Sequence, residues 1–166
     1  NVTSSSLDTT PVFERKAYAQ LKEWKERSRG STAILVEGAR RVGKSTLVEE
    51  FARNEYHTYV LIDFSEENSD INALFDDLSD INRLLRGLQL QTGVEFKERD
   101  TAIIFDEVQR FPRARESIRA LVKDGRYDYI ETGSLISIHE NVKDIVIPSE
   151  EEKIRMYPLD FEEFCW

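Results

Sequence analysis

Residues 38–46 read GARRVGKST and directly follow an apolar run, TAILVE. They match the phosphate-loop pattern, in which two glycines stand five positions apart and lysine and serine follow. Gly38 and Gly43 permit backbone angles that turn successive N–H groups inward on an anion. Lys44 adds a mobile positive charge for the phosphates, and Ser45 adds a hydroxyl for Mg²⁺. The stretch therefore predicts a site for the phosphate tail of a nucleotide.

The main-chain amides of the whole stretch are expected to surround the phosphates, with Thr46 placed to bond the α-phosphate. A helix that starts at about Lys44 would add the positive end of its dipole. The side chains of Arg40 and Arg41 are more commonly exposed at the tip of such a loop than bound to phosphate. The predicted cofactor-binding residues are Gly38, Ala39, Arg40, Arg41, Val42, Gly43, Lys44, Ser45 and Thr46.

A second polar pair, Asp106 and Glu107, ends the apolar stretch TAIIF. The carboxyl ends of parallel strands line the ligand crevice of an open sheet. Asp106 is expected to hold Mg²⁺ together with Ser45, and Glu107 to polarise the water that attacks the γ-phosphate. An acidic pair after a strand is a weak signal alone, but an upstream phosphate loop makes it a strong one.

The stretch YIETGS supplies a third group, Thr132, at the end of a further strand. A hydroxyl there can contact the γ-phosphate and align the attacking water, and Ser134 is a weaker candidate for the same role. A plain Thr-Gly-Ser turn is the structural alternative. The predicted catalytic residues are Lys44, Glu107 and Thr132.

The elements that must position these groups alternate along the chain. Helical periodicity covers residues 14–27, 44–54, 71–88 (with one break near Ser79 and Asp80) and 112–124. Apolar runs predict strands at residues 33–36, 58–64, 101–107 and 127–134, with weaker candidates at 142–147 and 154–157, and Asp160 is a plausible cap of a last helix. Continuous apolar strands between helices predict a parallel α/β sheet that is covered on both faces.

The composition excludes several classes of protein. The chain has 166 residues, of which 40% are hydrophobic and 33% charged, so we expect a folded domain. No apolar run is long enough to span a membrane, and no signal segment opens the chain. A net charge of −9 argues against broad nucleic-acid binding. The single cysteine, Cys165, favours a reducing compartment, and we expect the cytoplasm.

Other polar residues are expected to be structural. No histidine or carboxylate stands at metal-ligand spacing from His57 or His139, so both should lie at the surface. Arginines after the acidic pair are expected on solvated faces: Arg110, Arg113, Arg115 and Arg119. Trp24 and Tyr18 are expected in the core. Residues 1–12 are expected to form a flexible tail before a nucleotide-binding domain at residues 13–166.

The sequence resembles bacterial and archaeal ATPases of the AAA+ superfamily in which a C-terminal domain of uncharacterised function follows the AAA domain. Residues 34–46, 61–64, 103–115, 124–137 and 156–164 carry the resemblance, with DEVQ, TGS and YPLDFEEF the most particular segments.

The resemblance implies a three-layer α/β/α P-loop NTPase fold with a parallel sheet in the order 5-1-4-3-2. Lys44 and Ser45 would be Walker A residues, Asp106 and Glu107 Walker B residues, and Thr132 the first sensor. ATP and Mg²⁺ would be the ligands. The implied partners are a C-terminal domain of the same chain and other copies of it. Where many relatives have a Gly-Arg before the last strand, this chain reads PSEEEKIRMYPL, and the helical lid of such ATPases is expected beyond residue 166.

Three functions are compatible with these features. The first is an ATPase that serves as a switch or motor module. The second is a nucleotide-gated interaction module with little hydrolysis. The third is a P-loop kinase for small molecules, which the acidic residue after Asp106 disfavours.

Overall fold

The computed structural model describes residues 12–38, 43–134 and 151–156, with side chains described from residue 15 onward. The helices are α1 (Val12–Ser28), α2 (Lys44–Glu55), α3 (Ser69–Leu74), α4 (Ile81–Thr92) and α5 (Pro112–Asp124). The strands are β1 (Ala33–Gly38), β2 (Thr58–Asp63), β3 (Thr101–Asp106), β4 (Asp128–Ser134) and β5 (Glu151–Met156). A short 3-10 helix, Val108–Arg110, follows β3.

The five strands form one sheet in the order β2-β3-β4-β1-β5, and every neighbouring pair is parallel. This order, read from β5, is the predicted 5-1-4-3-2, so the predicted fold class is confirmed. β1 lies between β4 and β5, and its last residue, Gly38, is opposite Ser134 on one side and Met156 on the other. The parallel arrangement brings the carboxyl ends of β1, β3 and β4 to the same edge of the sheet.

Helices cover both faces because the strands are apolar on both. Side chains of α1 and α2 pack on one face, with Leu21, Trp24 and Phe51 at its centre. Side chains of α4 and α5 pack on the other face, around Phe105 and Ile118. The central strands β1, β3 and β4 are buried along their whole length, as continuous apolar runs predict.

The helix ends follow from local sequence. The side chain of Asp80 accepts a hydrogen bond from the amide of Arg83 and so caps the start of α4. Pro112 begins α5, and Gly125 ends it in the left-handed conformation. The predicted helical region at residues 71–88 is two helices, since residues 75–80 carry the turn and the cap that separate them.

Some predictions lie outside the described residues: the strand at 142–147, the helix at Asp160, His139, Cys165 and most of the N-terminal tail. Val12, the last residue of that predicted tail, is the first residue of α1. The last described strand, β5, begins three positions before the predicted strand at 154–157, since Glu151, Glu152 and Lys153 extend it. No helix in the described ranges is long and apolar enough to cross a membrane.

Candidate functional site

The phosphate loop is framed by two glycines with different roles. An ideal Cβ on Gly38 would lie 2.3 Å from the main-chain oxygen of Met156, so the close approach of β5 leaves no room for a side chain. Gly43 has φ 82°, a left-handed conformation that favours glycine, and it stands at the start of α2. Ala39, Arg40, Arg41 and Val42 lie outside the described residues, so their predicted contacts with phosphate stay predictions.

Helix α2 places the lysine and the serine of the motif at its first turn. Lys44 is the first residue of α2 and is only 4% exposed, which is unusual for a lysine. Ser45 is half-buried, and its Oγ donates a hydrogen bond to Oδ1 of Asp106 over 2.6 Å. Thr46 is exposed. The serine of α2 and the aspartate of β3 therefore meet at one point, and their joint binding of Mg²⁺ stays a prediction.

Asp106 is the buried acceptor at the centre of the site. Besides the Ser45 hydroxyl, its Oδ1 accepts a hydrogen bond from Thr132 Oγ1 at 2.5 Å. Burial raises the pKa of the Asp106 carboxyl above its usual range, and the nearby Asp63 and Glu107 raise it further. The two hydroxyl hydrogen bonds act in the opposite direction. A cation beside this carboxylate would offset both the cost of burying its charge and the repulsion from Asp63 and Glu107.

The oxygen donors at this point suit Mg²⁺. A serine hydroxyl and an aspartate carboxylate are hard oxygen ligands, and Mg²⁺ is commonly bound by one or two protein groups together with substrate phosphates. Within the described ranges, no group of three or more His, Cys, Asp or Glu could hold a metal ion. The residues present therefore fit an ion that is completed by a nucleotide, rather than a cage built from protein alone.

Glu107 is held through its main chain. It has φ 55° and ψ 48°, an uncommon left-handed conformation for a residue with a side chain. Its amide donates a hydrogen bond to Thr132 Oγ1 at 3.0 Å. Thr132 is fully buried and so connects Glu107 to Asp106 through a single hydroxyl. The structure thus brings together Ser45, Asp106, Glu107 and Thr132.

One nearby polar residue, Gln109, was not predicted as a site residue, and another, Ser134, was only a weaker candidate. Gln109 is buried, and its Nε2 donates a hydrogen bond to Oε2 of Glu107 at 2.6 Å. Its signals in the sequence were its position two residues after Glu107 and its place in the DEVQ segment, which helps to carry the resemblance. Ser134, the weaker candidate, is buried at the end of β4, and its Oγ has no hydrogen-bond partner among the described residues.

The prediction for one arginine was wrong. Arg115 was expected on a solvated face, but it is fully buried and forms ion pairs with Glu151 (2.8 Å) and Glu131 (3.7 Å). Arg115 is buried because Glu131 and Glu151 lie on the face of the sheet that α5 covers. The other arginines of that group, Arg110, Arg113 and Arg119, are exposed as expected, as is His57.

Comparisons with known proteins agree with the fold. A family model described as "AAA domain" matches residues 30–165. A search of curated proteins found no match.

Similar solved structures include "Structure of Drosophila ORC bound to DNA", with a TM-score of 0.58 and 11% identity over 93% of this chain and 98% of that chain. A second Drosophila ORC structure, bound to AT-rich DNA and Cdc6, has a TM-score of 0.56 and 13% identity over 92% and 59% of the two chains. "Structure of C. elegans PCH-2" has a TM-score of 0.50 and 15% identity over 84% and 41%. At these identities the likeness concerns the fold alone.

Proposed function

Because the chain belongs to the AAA domain family, we propose that this nucleotide-binding module binds ATP with Mg²⁺ and hydrolyses it as the switch or motor part of a larger protein. The observation that carries the proposal is a hydrogen-bonded cluster that joins the first turn of α2 to β3 and β4. Ser45 after β1, Asp106 on β3 and Thr132 on β4 share one hydrogen-bonded point, and Glu107 is attached to it. That arrangement supports metal-assisted phosphoryl transfer.

Each side chain has a separate task in the proposed reaction. The Lys44 ammonium and the amides at the start of α2 hold the phosphates and balance the charge that develops on them. Ser45 and Asp106 would hold Mg²⁺. When bound, Mg²⁺ supplies charge neutralisation on the β- and γ-phosphate oxygens. Glu107 orients the attacking water and accepts its proton.

The bonds change in a simple sequence. The water oxygen forms a bond to the γ-phosphorus while the bond from that phosphorus to the β–γ bridging oxygen breaks. ADP leaves with the bridging oxygen, and the released proton goes to the Glu107 carboxylate. Little covalent chemistry falls to the protein, so positioning and electrostatics account for catalysis.

Two substitutions in the full-length protein test the proposal. Lys44→Ala should abolish ATP binding in a calorimetric titration, since it removes the buried positive charge beside the loop. Glu107→Gln should keep binding and lower phosphate release by about a hundredfold or more, since the amide cannot accept the proton. Unchanged binding by the alanine variant would contradict the site.

The alternatives give different results in the same assays. Equal phosphate release by Glu107→Gln and wild type would favour the nucleotide-gated interaction module. A phosphorylated acceptor in a metabolite screen would favour a kinase. The C-terminal domain, the homo-oligomer, the cytoplasmic location and the tail at residues 1–12 stay predictions. Two structural neighbours are bound to DNA, but the net charge of −9 gives no support for the same partner here.

A further inference from the structure

Gln109 lies in the 3-10 helix that follows β3, and it is only 2% exposed. Two main-chain hydrogen bonds form this turn, from Arg110 N to Glu107 O at 3.0 Å and from Phe111 N to Val108 O at 3.1 Å. The turn places residues 107 and 109 so that their side chains meet. Glutamine is mostly an exposed residue type, so its burial beside the site requires an explanation.

The contact that buries Gln109 is directed at the proposed catalytic carboxylate. Its Nε2 donates to Oε2 of Glu107 at 2.6 Å, and a hydrogen bond to an ionised acceptor is about twice as strong as a neutral one. Thr132 holds the main-chain amide of the same glutamate at 3.0 Å. Glu107 is therefore held at both ends, by a threonine at its amide and by a glutamine at its carboxylate.

Packing alone is a poor explanation of Gln109. Its Oε1 is buried and has no hydrogen-bond partner among the described residues. A buried acceptor without a partner costs free energy, and an apolar side chain of the same length would fill the space without that cost. What the glutamine provides, and an apolar residue does not, is the N–H that reaches Glu107.

We infer that Gln109 is a positioning residue that holds Oε2 of Glu107. The other carboxylate oxygen of Glu107, Oε1, is then left to accept the proton of the attacking water. The inference rests on the proposed function, since it assigns a role within that reaction. A carboxylate that is free to rotate would spend much of its time away from the water. Holding one oxygen fixes the other, and misplacement of a catalytic group by about 1 Å can cost about a hundredfold in rate.

The test is a kinetic comparison of Gln109→Met with wild type in the full-length protein. Methionine keeps the length and the burial but has no donor. We expect kcat for ATP hydrolysis to fall by about 10- to 100-fold, while KM for Mg·ATP and the melting temperature change little, since the lost contact orients the base and does not hold the nucleotide. Gln91→Met, at an exposed glutamine on α4, is the matched control and should behave as wild type.

Three other results would overturn the inference, each for a different reason. A kcat within about threefold of wild type means that Gln109 does not position the base, and a higher kcat means that it restrains Glu107 unproductively. A joint change of KM and melting temperature means a structural role. If Gln109→Met does not fold, Gln109→Asn, which keeps the amide but shortens its reach, must show the same loss of kcat at unchanged KM.

Failure of the proposed function would be recognised separately. If wild type releases no phosphate, or if Lys44→Ala still binds ATP, the proposed function fails and the inference with it. If wild type hydrolyses ATP, Glu107→Gln does not, and Gln109→Met equals wild type, only the inference fails.

Discussion

The Thr132 hydroxyl has one proton, and that proton is donated to Asp106. Its oxygen accepts the amide proton of Glu107. Both bonds are formed by a fully buried side chain, so water cannot replace either partner. A hydroxyl that contacted the γ-phosphate as a donor would have to release Asp106, and binding of a cation by Asp106 would favour that release. The threonine thus links Asp106, which we propose holds Mg²⁺, to the main chain of Glu107, the proposed catalytic residue.

Replacement of Thr132 by valine removes the hydroxyl but nearly keeps the shape of the side chain, so it tests the contribution of the hydrogen bonds. Valine is nearly isosteric but leaves the Glu107 amide and the Asp106 oxygen without this partner. We expect the free energy of unfolding to fall by about 1–3 kcal/mol, and ATP hydrolysis to fall as Glu107 loses its anchor. Urea denaturation and a phosphate-release assay measure both. Thr132→Ser keeps the hydroxyl and should retain most of both properties; equal losses in the two variants would count against the hydrogen bonds.

Residue types predicted which side chains would lie together wherever one chemistry requires them, while their roles stay predictions. Ser45 and Asp106 could be paired from sequence because a Mg²⁺ site needs oxygen donors next to a phosphate loop. Gln109 and Arg115 could not, since glutamine and arginine usually lie at the surface. Their burial depends on which acidic side chains the fold places opposite them: Glu107 for one, Glu131 and Glu151 for the other.

At the scale of elements, the contact between the end of β1 and the end of β5 shapes the start of the phosphate loop. Gly38 is paired with Met156, and the main-chain oxygen of Met156 occupies the place of a Cβ on the glycine. The positions of β1 and β3 were predictable to within two residues because each contains a continuous apolar run, at residues 33–36 and 102–105. β4 was predicted to within one residue, although it contains Asp128 and Glu131. The start of β5 was not, because Glu151, Glu152 and Lys153 are charged and belong to a strand at the edge of the sheet.

Gly38→Ala should therefore push β5 away from β1. We expect a loss of about 1–3 kcal/mol in the free energy of unfolding and weaker ATP binding, since the loop begins at this residue. Thermal melting and calorimetry measure the two effects. Gly93→Ala is the control: the glycine has φ 71° and open space around it at the end of α4, so alanine there should cost stability without changing ATP affinity. Unchanged affinity in Gly38→Ala would contradict the role of the contact.

At the scale of the whole molecule, a buried charged cluster joins α5, β4 and β5. It consists of Arg115, Glu131 and Glu151, whose side chains are fully buried. Burial raises the pKa of the Glu131 carboxyl well above its usual range, and Glu151 adds to the rise, while Arg115 and Lys153 oppose it. The overall sheet was predictable, through the resemblance of the motifs, but this cluster was not, since it depends on pairing between strands that are distant in sequence.

The cluster predicts a dependence of stability on pH. Folded protein keeps the proton of Glu131 to a higher pH than unfolded protein does, so the contribution of this group is most favourable below the ordinary glutamate pKa of about 4.3 and declines as pH rises above it. Glu131→Gln does not titrate and should remove that decline. The stability of the variant relative to wild type should increase from pH 5 to pH 8, measured by urea midpoints.

Glu98→Gln, at an exposed glutamate, is the matched control and should show no such trend. A constant difference between Glu131→Gln and wild type across this pH range would mean that Glu131 is already ionised in the folded protein and that burial does not raise its pKa.

The contact between Gly38 and Met156 also has a mechanical meaning. The chain continues from Met156 into residues 157–166, so a load applied to that segment reaches the last residue of β5 first. β5 is paired with β1 at six positions, and the last of these pairs joins Met156 to Gly38, the first glycine of the motif. A load on that segment would thus reach the proposed nucleotide loop through the paired ends of two strands.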